Sequence, residues 1–239
     1  MSVSNFDVTT TPLSNRILRE LPPEEYARLS SHMELIPLSV GDILCYPDDP
    51  VTHVYFLNSG AISIISNFRN GSGVEVGVVG NEGIFGLNVV LGSVTVPLEA
   101  IVQQPGDAFR VPSEVIEQEF KAGGQLHDLL LRYTQAFIIQ IAQNAACNRS
   151  HPIDGRLARW LLTSHDRAKS DELHLTQEFI SLMLGTRRAG ITEAAGRLQN
   201  EGLIKYSRGH IRITDRKGLE ATSCECYDIV KNEFERLLG

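Results

Sequence analysis

The chain has 239 residues, 42% hydrophobic and 21% charged, with a formal net charge of −7. This is an ordinary soluble globular composition with room for one large domain or two modest ones, and the acidic balance excludes a uniformly basic nucleic-acid coat. The apolar runs are too short to cross a bilayer and no export signal opens the chain, so a cytoplasmic protein without a membrane partner is expected.

The first ten residues, rich in Ser, Thr and Val, read as an arm without structure of its own. "LPPEEYARLSSHM" reads as a helix, with prolines at its first turn and apolar spacing through Tyr26 and Leu29. From Glu34 to Val111 the pattern changes to β-branched and aromatic segments broken by turns, among them "THVYFLNSG", "AISIIS", "GVEVGVVG", "LEAIVQQPG" and "AFRVP". Asn70-Gly71 between two alternating runs marks a hairpin. Six to eight short strands of this kind predict a sandwich, barrel or jelly roll.

Helical spacing returns with "PSEVIEQEF", which Gly123-Gly124 breaks. A long helix is predicted from about Gln125 to Arg149, roughly 37 Å at the usual rise. It carries two apolar stripes: Leu126, Leu130, Tyr133 and Phe137, and Leu131, Thr134, Ile138, Ile141 and Ala145. A helix apolar on two faces must be covered on both. One stripe is expected on its own β-domain and the other against a second copy, as an isologous homodimer. His151-Pro152 ends this helix, and "DGRLARWLLTSHDRA" begins another.

Charge is unevenly placed. Residues 1–150 carry 8 Lys/Arg against 16 Asp/Glu, whereas Arg187 to Lys217 holds eight basic residues and three acidic ones. A local basic patch is what a directed DNA contact needs, because phosphate neutralisation is local. Within the same region Thr176 stands where an N-cap should, followed by Phe179, Ile180, Leu182 and Met183 at helical spacing. Leu184-Gly185-Thr186 forms the short turn of a helix-turn-helix. The second helix runs from about Arg187 to Glu201, with Ala189, Ile191, Ala194, Ala195 and Leu198 as its apolar and close-packing positions. Arg187, Arg188, Thr192 and Glu193 remain near its exposed N-terminal end, the part that reaches base edges in a major groove. "GLIKYSRGHIRIT" reads as a two-stranded wing with Lys205, Ser207, Arg208 and His210 in reach of phosphates, and Asp215 as the cap of a further helix. Double-stranded DNA is therefore the expected partner, contacted through Thr176, Gln177, Arg187, Arg188, Thr192, Glu193, Arg197, Ser207, Arg208 and His210.

With these motifs in place, the chain resembles the Crp/Fnr superfamily of bacterial transcription regulators over nearly its whole length. The resemblance rests on "PLSVGDILCYPDDPVTHVYFLNSGAISII", the long helix, the hinge "HPIDGRLARWLL" and the winged helix. It implies an α+β fold with three parts. They are an N-terminal helix and jelly-roll β-roll of the cyclic-nucleotide-binding kind over 1–124, a dimerisation helix over 125–150, and a winged helix-turn-helix over 151–239. It also implies a homodimer on a dyad-symmetric operator, acting on RNA polymerase. Arg188 matches the position of a guanine-reading arginine in the cyclic-AMP receptor branch. The two other reader positions hold Ala189 and Glu193, so a different operator is expected. Glu193 either accepts from cytosine or is simply solvated.

"GVVGNEGIFGLNVVLG" holds five glycines in sixteen residues, a backbone able to approach a ligand closely. In the family's cyclic-nucleotide sensors this loop ends in Gly-Glu, and an Arg-Ser pair on the next strand neutralises the phosphate. Here Leu87 follows Gly86, Leu98 and Glu99 fall on the Arg-Ser positions, and no arginine lies between Arg69 and Arg110. An anion beside Glu99 would be repelled and lack a partner. The base-contacting helix positions become Ile141 and Ala142. The pocket expected over Gly83, Phe85, Gly86, Leu87, Leu98, Glu99, Ile141 and Ala142 thus suits a small-molecule effector other than cyclic AMP, or none. The alternatives are a cyclic-nucleotide-dependent regulator with a non-standard pocket, and an effector-free, architectural DNA-binding protein.

No cofactor is expected. An iron–sulfur cluster needs four thiolates in reach, and the N-terminal arm offers none. A haem would need an axial ligand, for which only His53, His127 and Cys45 stand out. Cys224 and Cys226 form a C-x-C expected inside a helix, where side chains two apart diverge. They read as one packed and one half-exposed thiol rather than a thiol switch or half a metal site, so no metal ligand is assigned. A jelly-roll oxygenase would need several histidines, yet His53 is the only one between His32 and His127. Nucleophile-elbow, Walker and paired His-Glu motifs are also missing, so an enzyme is not expected.

Overall fold

The computed structural model describes residues 13–168 and 170–239; the expected N-terminal arm lies outside the described residues. The described residues divide into two compact units, one within 13–63, 78–135 and 237–239, the other within 64–77, 136–168 and 170–236.

The first unit opens with α1 (Arg16–Arg19) and α2 (Pro23–Ser30). Asn15 caps α1 by accepting from Leu18 N, while its amide donates to Leu57 O and Gly83 O at 2.9 and 2.8 Å. In α2, Pro23 opens the helix and Glu24 and Glu25 occupy the positive first turn. The main sheet is built from β1 (Glu34–Leu38), β2 (Ile43–Cys45), β3 (His53–Asn67), β4 (Gly73–Val79), β5 (Ile84–Phe85) and β6 (Glu99–Pro112). Its strand order is β1-β6-β3-β4, with β2 also on β6 and β5 also on β3.

Six strands fall within the expected number, but two are far longer than the sequence suggests. "THVYFLNSG" and "AISIIS" are one strand, β3, because Gly60 bends rather than breaks it. Gly60 has φ +83°, and a side chain there would sit 2.7 Å from Gln104 O. "LEAIVQQPG" and "AFRVP" likewise run on as β6 through Pro105-Gly106, where a Cβ on Gly106 would meet Ser59 O at 2.2 Å. The two long strands cross almost backbone to backbone, which only glycine permits. The hairpin at Asn70-Gly71 is present: Gly71 has φ +81°, and Asn70 accepts from Ser72 N at 3.0 Å.

Helix α3 (Ser113–Ala122) ends at Gly123 and Gly124, both with positive φ, before α4 (Gln125–Ser150). Leu126, Leu130 and Tyr133 are buried and Phe137 is half-buried, as one predicted stripe requires. On the other stripe Leu131 and Ile138 remain 46% and 55% exposed and Ala145 is exposed, while Thr134 and Ile141 are half-buried.

The second unit contains α5 (Ile153–Arg167), β7 (Glu172–His174), α6 (Gln177–Met183), α7 (Arg188–Asn200), β8 (Ile204–Ser207), β9 (His210–Ile213), α8 (Arg216–Thr222) and α9 (Cys226–Leu238). Its core joins Leu157, Leu161 and Leu162 with Ile180, Met183, Ile191, Ala194, Leu198, Ile211 and Leu219. The wing is a three-stranded antiparallel sheet, β7-β9-β8, rather than the expected two strands, because Leu173 buries itself opposite Ile211.

Candidate nucleic-acid interface

Helix α6 begins where the sequence puts it, with Thr176 accepting from Phe179 N at 3.1 Å. The turn to α7 passes through Gly185 at φ +56°, and Arg187 is the N-cap of α7. Ile191, Ala194, Ala195 and Leu198 turn inward, leaving Arg187, Arg188, Thr192 and Glu193 exposed on the first turns. Ala189, expected among the close-packing positions, is also exposed, because one residue after Arg188 the helix still faces solvent.

A cleft of about 360 Å³ gathers the N-terminal ends of α6 and α7 with the wing turn, and is lined by Thr176, Gln177, Arg188, Tyr206, Ser207, Arg208 and Gly209. Thr192 donates to Gln177 Oε1 at 3.0 Å and to its own helix at Arg188 O, fixing the two helices across the cleft. Arg208 has φ +50° and Gly209 φ +83°, so the wing turns tightly. Tyr206 was not foreseen as part of this surface. Its hydroxyl donates to Leu175 O at 3.1 Å, and it lies close enough to feel the Arg188 charge. The alternation in "IKYS" gives no signal for it, since it places Tyr206 on the opposite face from Lys205 and Ser207.

Arg187, Thr192, Glu193, Arg197 and His210 are not among the lining residues, and the last two are engaged elsewhere. Arg197 makes a two-pronged ion pair with Asp154 of α5, at 2.8 and 2.7 Å, which holds its guanidinium on the third turn of α7. His210 is exposed and stacks edge-on against His174, with ring centroids 4.5 Å apart. Of the remaining basic residues, Arg212 pairs with Glu172, and Arg216 with Asp166 and Glu220. Helix α8 is capped by Asp215, which accepts from Gly218 N at 3.0 Å.

In the other unit, the glycine loop turns sharply at Gly86. Gly86 has φ +102° and leads into a short 3-10 turn over Leu87–Val89. Gly83 is filled by a neighbour: a Cβ there would lie 2.1 Å from the Tyr133 ring, whose hydroxyl donates to Ile84 O at 3.0 Å. Phe85 is buried, and Leu87, Leu98 and Glu99 are half-buried. Ile141 and Ala142 belong to the second unit, where Ala142 is exposed.

The isolated haem candidates are packed groups. Cys45 points at Tyr46 O, and burial pushes its thiol up. His53 bonds Thr52 and is held below the ordinary imidazole range by burial and then by Arg110. His127 stacks on Phe120 at 4.3 Å.

Cys224 and Cys226 do not lie together inside one helix, contrary to expectation. The extended backbone of Ser223 ends α8, and α9 starts only at Cys226, so the C-x-C lies at a helix break. Both thiols are buried and converge on Cys147 and His151 instead of diverging.

A β-roll of this kind joined to a winged helix-turn-helix defines a DNA-binding transcription regulator with an effector-binding domain, and the relatives agree. Residues 35–122 match the cyclic nucleotide-binding domain, and 155–222 the Crp-like helix-turn-helix domain. The global nitrogen regulators of Nostoc sp. and Synechocystis sp. are each 25% identical over 178 residues, 70% of this chain and 79% of theirs. A structure from Eubacterium rectale assigned to the Crp/Fnr family aligns with TM-score 0.69 at 20% identity, covering 86% of this chain and 96% of that one. FixK2 from Bradyrhizobium japonicum aligns with TM-score 0.68 at 17% identity, covering 80% and 98%. The chain belongs to the Crp/Fnr superfamily. Among the described residues, no helix is long and apolar enough to cross a membrane.

Proposed function

We propose that the chain works in the cytoplasm as a homodimer that reads a dyad-symmetric operator and acts on RNA polymerase. In this proposal the effector domain is residues 1–124, before α4, and the reader is 151–239, after it, whereas the compact units divide within α4 and place residues 64–77 with the reader. Arg188 carries the reading: it is exposed at the first residue of α7, at the mouth of a cleft whose other wall is the wing turn at Arg208. A helix N-terminus entering a major groove presents that position to base edges, while the wing meets phosphates. Thr176, Gln177, Arg187, Thr192, Glu193, Ser207 and His210 complete the DNA face. Arg197 supports it by holding α7 to α5 through Asp154. The occupant of the apolar face of α4 is a second copy of the same helix, centred on Leu131, Ile138 and Ala145.

The β-roll answers to an effector other than cyclic AMP. Leu87 offers no carboxylate to a ribose, Glu99 would face a phosphate, and the Tyr133 ring already occupies the space at Gly83. The test is selection of bound DNA from a random pool by the full-length protein, with and without cyclic AMP. A dyad motif recovered without nucleotide, with half-sites about one helical turn apart, is the expected result. A motif that appears only with cyclic AMP overturns the effector reading. Binding without sequence preference, steeply dependent on salt, overturns the operator reading in favour of an architectural role.

A further inference from the structure

Three cysteines and a histidine from opposite ends of the second unit meet at the end of α4. Cys147 and His151 are four apart; the His151 N–H still donates to Cys147 O at 3.1 Å, so helical spacing puts both side chains on one face. Cys224 and Cys226 arrive from the break between α8 and α9. Cys147 Sγ and Cys224 Sγ are 3.5 Å apart, Cys226 Sγ and His151 Nδ1 are 3.4 Å apart, and all four ligand atoms lie within 4.8 Å of one another. A tetrahedral zinc with bonds of about 2.3 Å to sulfur and about 2.0 Å to nitrogen spaces its ligands by about 3.5–3.8 Å. A disulfide would instead need the two sulfurs at about 2.05 Å.

The surroundings are those of metal ligands. His151 directs Nδ1 inward while Nε2 lies 3.2 Å from the Glu225 carboxylate, the arrangement that orients a ligating imidazole. Gln143 Nε2 donates to Cys226 Sγ at 3.1 Å. Three thiolates around a divalent ion leave one negative charge, and the buried guanidinium of Arg159 acts on Cys147 from close by.

We propose that Cys147, His151, Cys224 and Cys226 form a closed tetrahedral zinc site that fastens the last turn of α4 to the α8–α9 junction. The cysteines are buried and the histidine half-buried, and four protein ligands leave no open position, so the ion is structural. Binding releases the thiol protons and stabilises the folded unit.

The test is the zinc content of the full-length protein, purified without chelator, by elemental mass spectrometry. One zinc per chain is expected. C147S and C226S should lose it, and C45S, outside the cluster, should keep it. Cobalt added to the metal-free protein should give the intense visible bands of a tetrahedral thiolate site. E225Q should weaken zinc about 10–100-fold in competition with a chelator. Wild-type protein with little zinc and no cobalt bands overturns the proposal, whether its thiols are free or Cys147 and Cys224 have joined as a disulfide. Zinc retained at full stoichiometry in both C147S and C226S overturns it as well.

Discussion

Replacing Arg188 by alanine tests the reading head most directly. Arg188 is exposed at the start of α7, and the surrounding cleft is fixed by the Thr192–Gln177 hydrogen bond rather than by Arg188 itself. Its removal should leave the fold intact and take away one base contact per copy. A two-pronged arginine–guanine contact is worth about 1–3 kcal/mol. A dimer on two half-sites then loses about 2–6 kcal/mol, or about 30-fold to 10⁴-fold in affinity. The assay is fluorescence anisotropy on the selected operator and on duplexes changed at one symmetric base pair. The variant should bind all four bases at that pair nearly alike. Arg197→Ala is the internal control: Arg197 is engaged with Asp154, so its loss should leave base preference unchanged. If Arg188→Ala weakens random DNA as much as operator DNA, Arg188 contacts phosphate and the base-reading assignment is refuted.

Three further outcomes follow from the same geometry. Arg208→Ala at the wing turn should weaken binding to all sequences alike and reduce the salt slope by about 1 per copy, measured by titration at several ionic strengths; a changed operator preference would contradict this. Ile138→Asp with Ile141→Asp should give monomers by sedimentation that no longer hold a full operator, because the exposed face of α4 would then carry charge; an intact dimer would mean another face pairs. Gly83→Ala would place a methyl 2.1 Å from the Tyr133 ring and should cost about 1–3 kcal/mol in thermal unfolding, whereas an unchanged melting temperature would mean the ring moves aside freely.

The reader was legible because its signals are local. The Thr176 cap, the Gly185 turn, the inward spacing of α7 and the alternation of the wing each lie within a few residues. Helix α4 was legible for the same reason, from its two stripes. The lengths of β3 and β6 were not. Gly60 and Pro105-Gly106 look like turn signals, and only the partner strand shows that they mark a close crossing. β7 is three residues long, too short for any period, and forms because β9 offers it an edge. The cysteine cluster joins positions 77 apart, and its local traces are the i,i+4 spacing of Cys147 and His151 and the C-x-C at Cys224 and Cys226. Its other half was misread because the helix break at Ser223 has neither Gly nor Pro to announce it.

The hairpin over 64–77 belongs to the same compact unit as the reader, although its strands β3 and β4 continue from the β-roll sheet. Two buried contacts hold it there. Trp160 of α5 donates its indole N–H to Glu75 Oε1 at 2.9 Å, and Asn144 of α4 donates to Val76 O at 3.0 Å while accepting from Arg159 at 2.7 Å. The hairpin thus touches both the helix that ends in the cysteine cluster and the helix that supports α7. Glu75→Ala would leave the indole N–H buried without its acceptor, at a cost of about 1–3 kcal/mol, whereas Glu75→Gln keeps an oxygen there and should cost less. Trp160 is the only tryptophan in the chain, so its fluorescence reports this contact directly during urea unfolding. Equal destabilisation by the two variants would mean that the carboxylate's charge, and not the indole hydrogen bond, holds the hairpin. If Glu75→Ala unfolds like the wild type, the hairpin is held elsewhere than at Trp160.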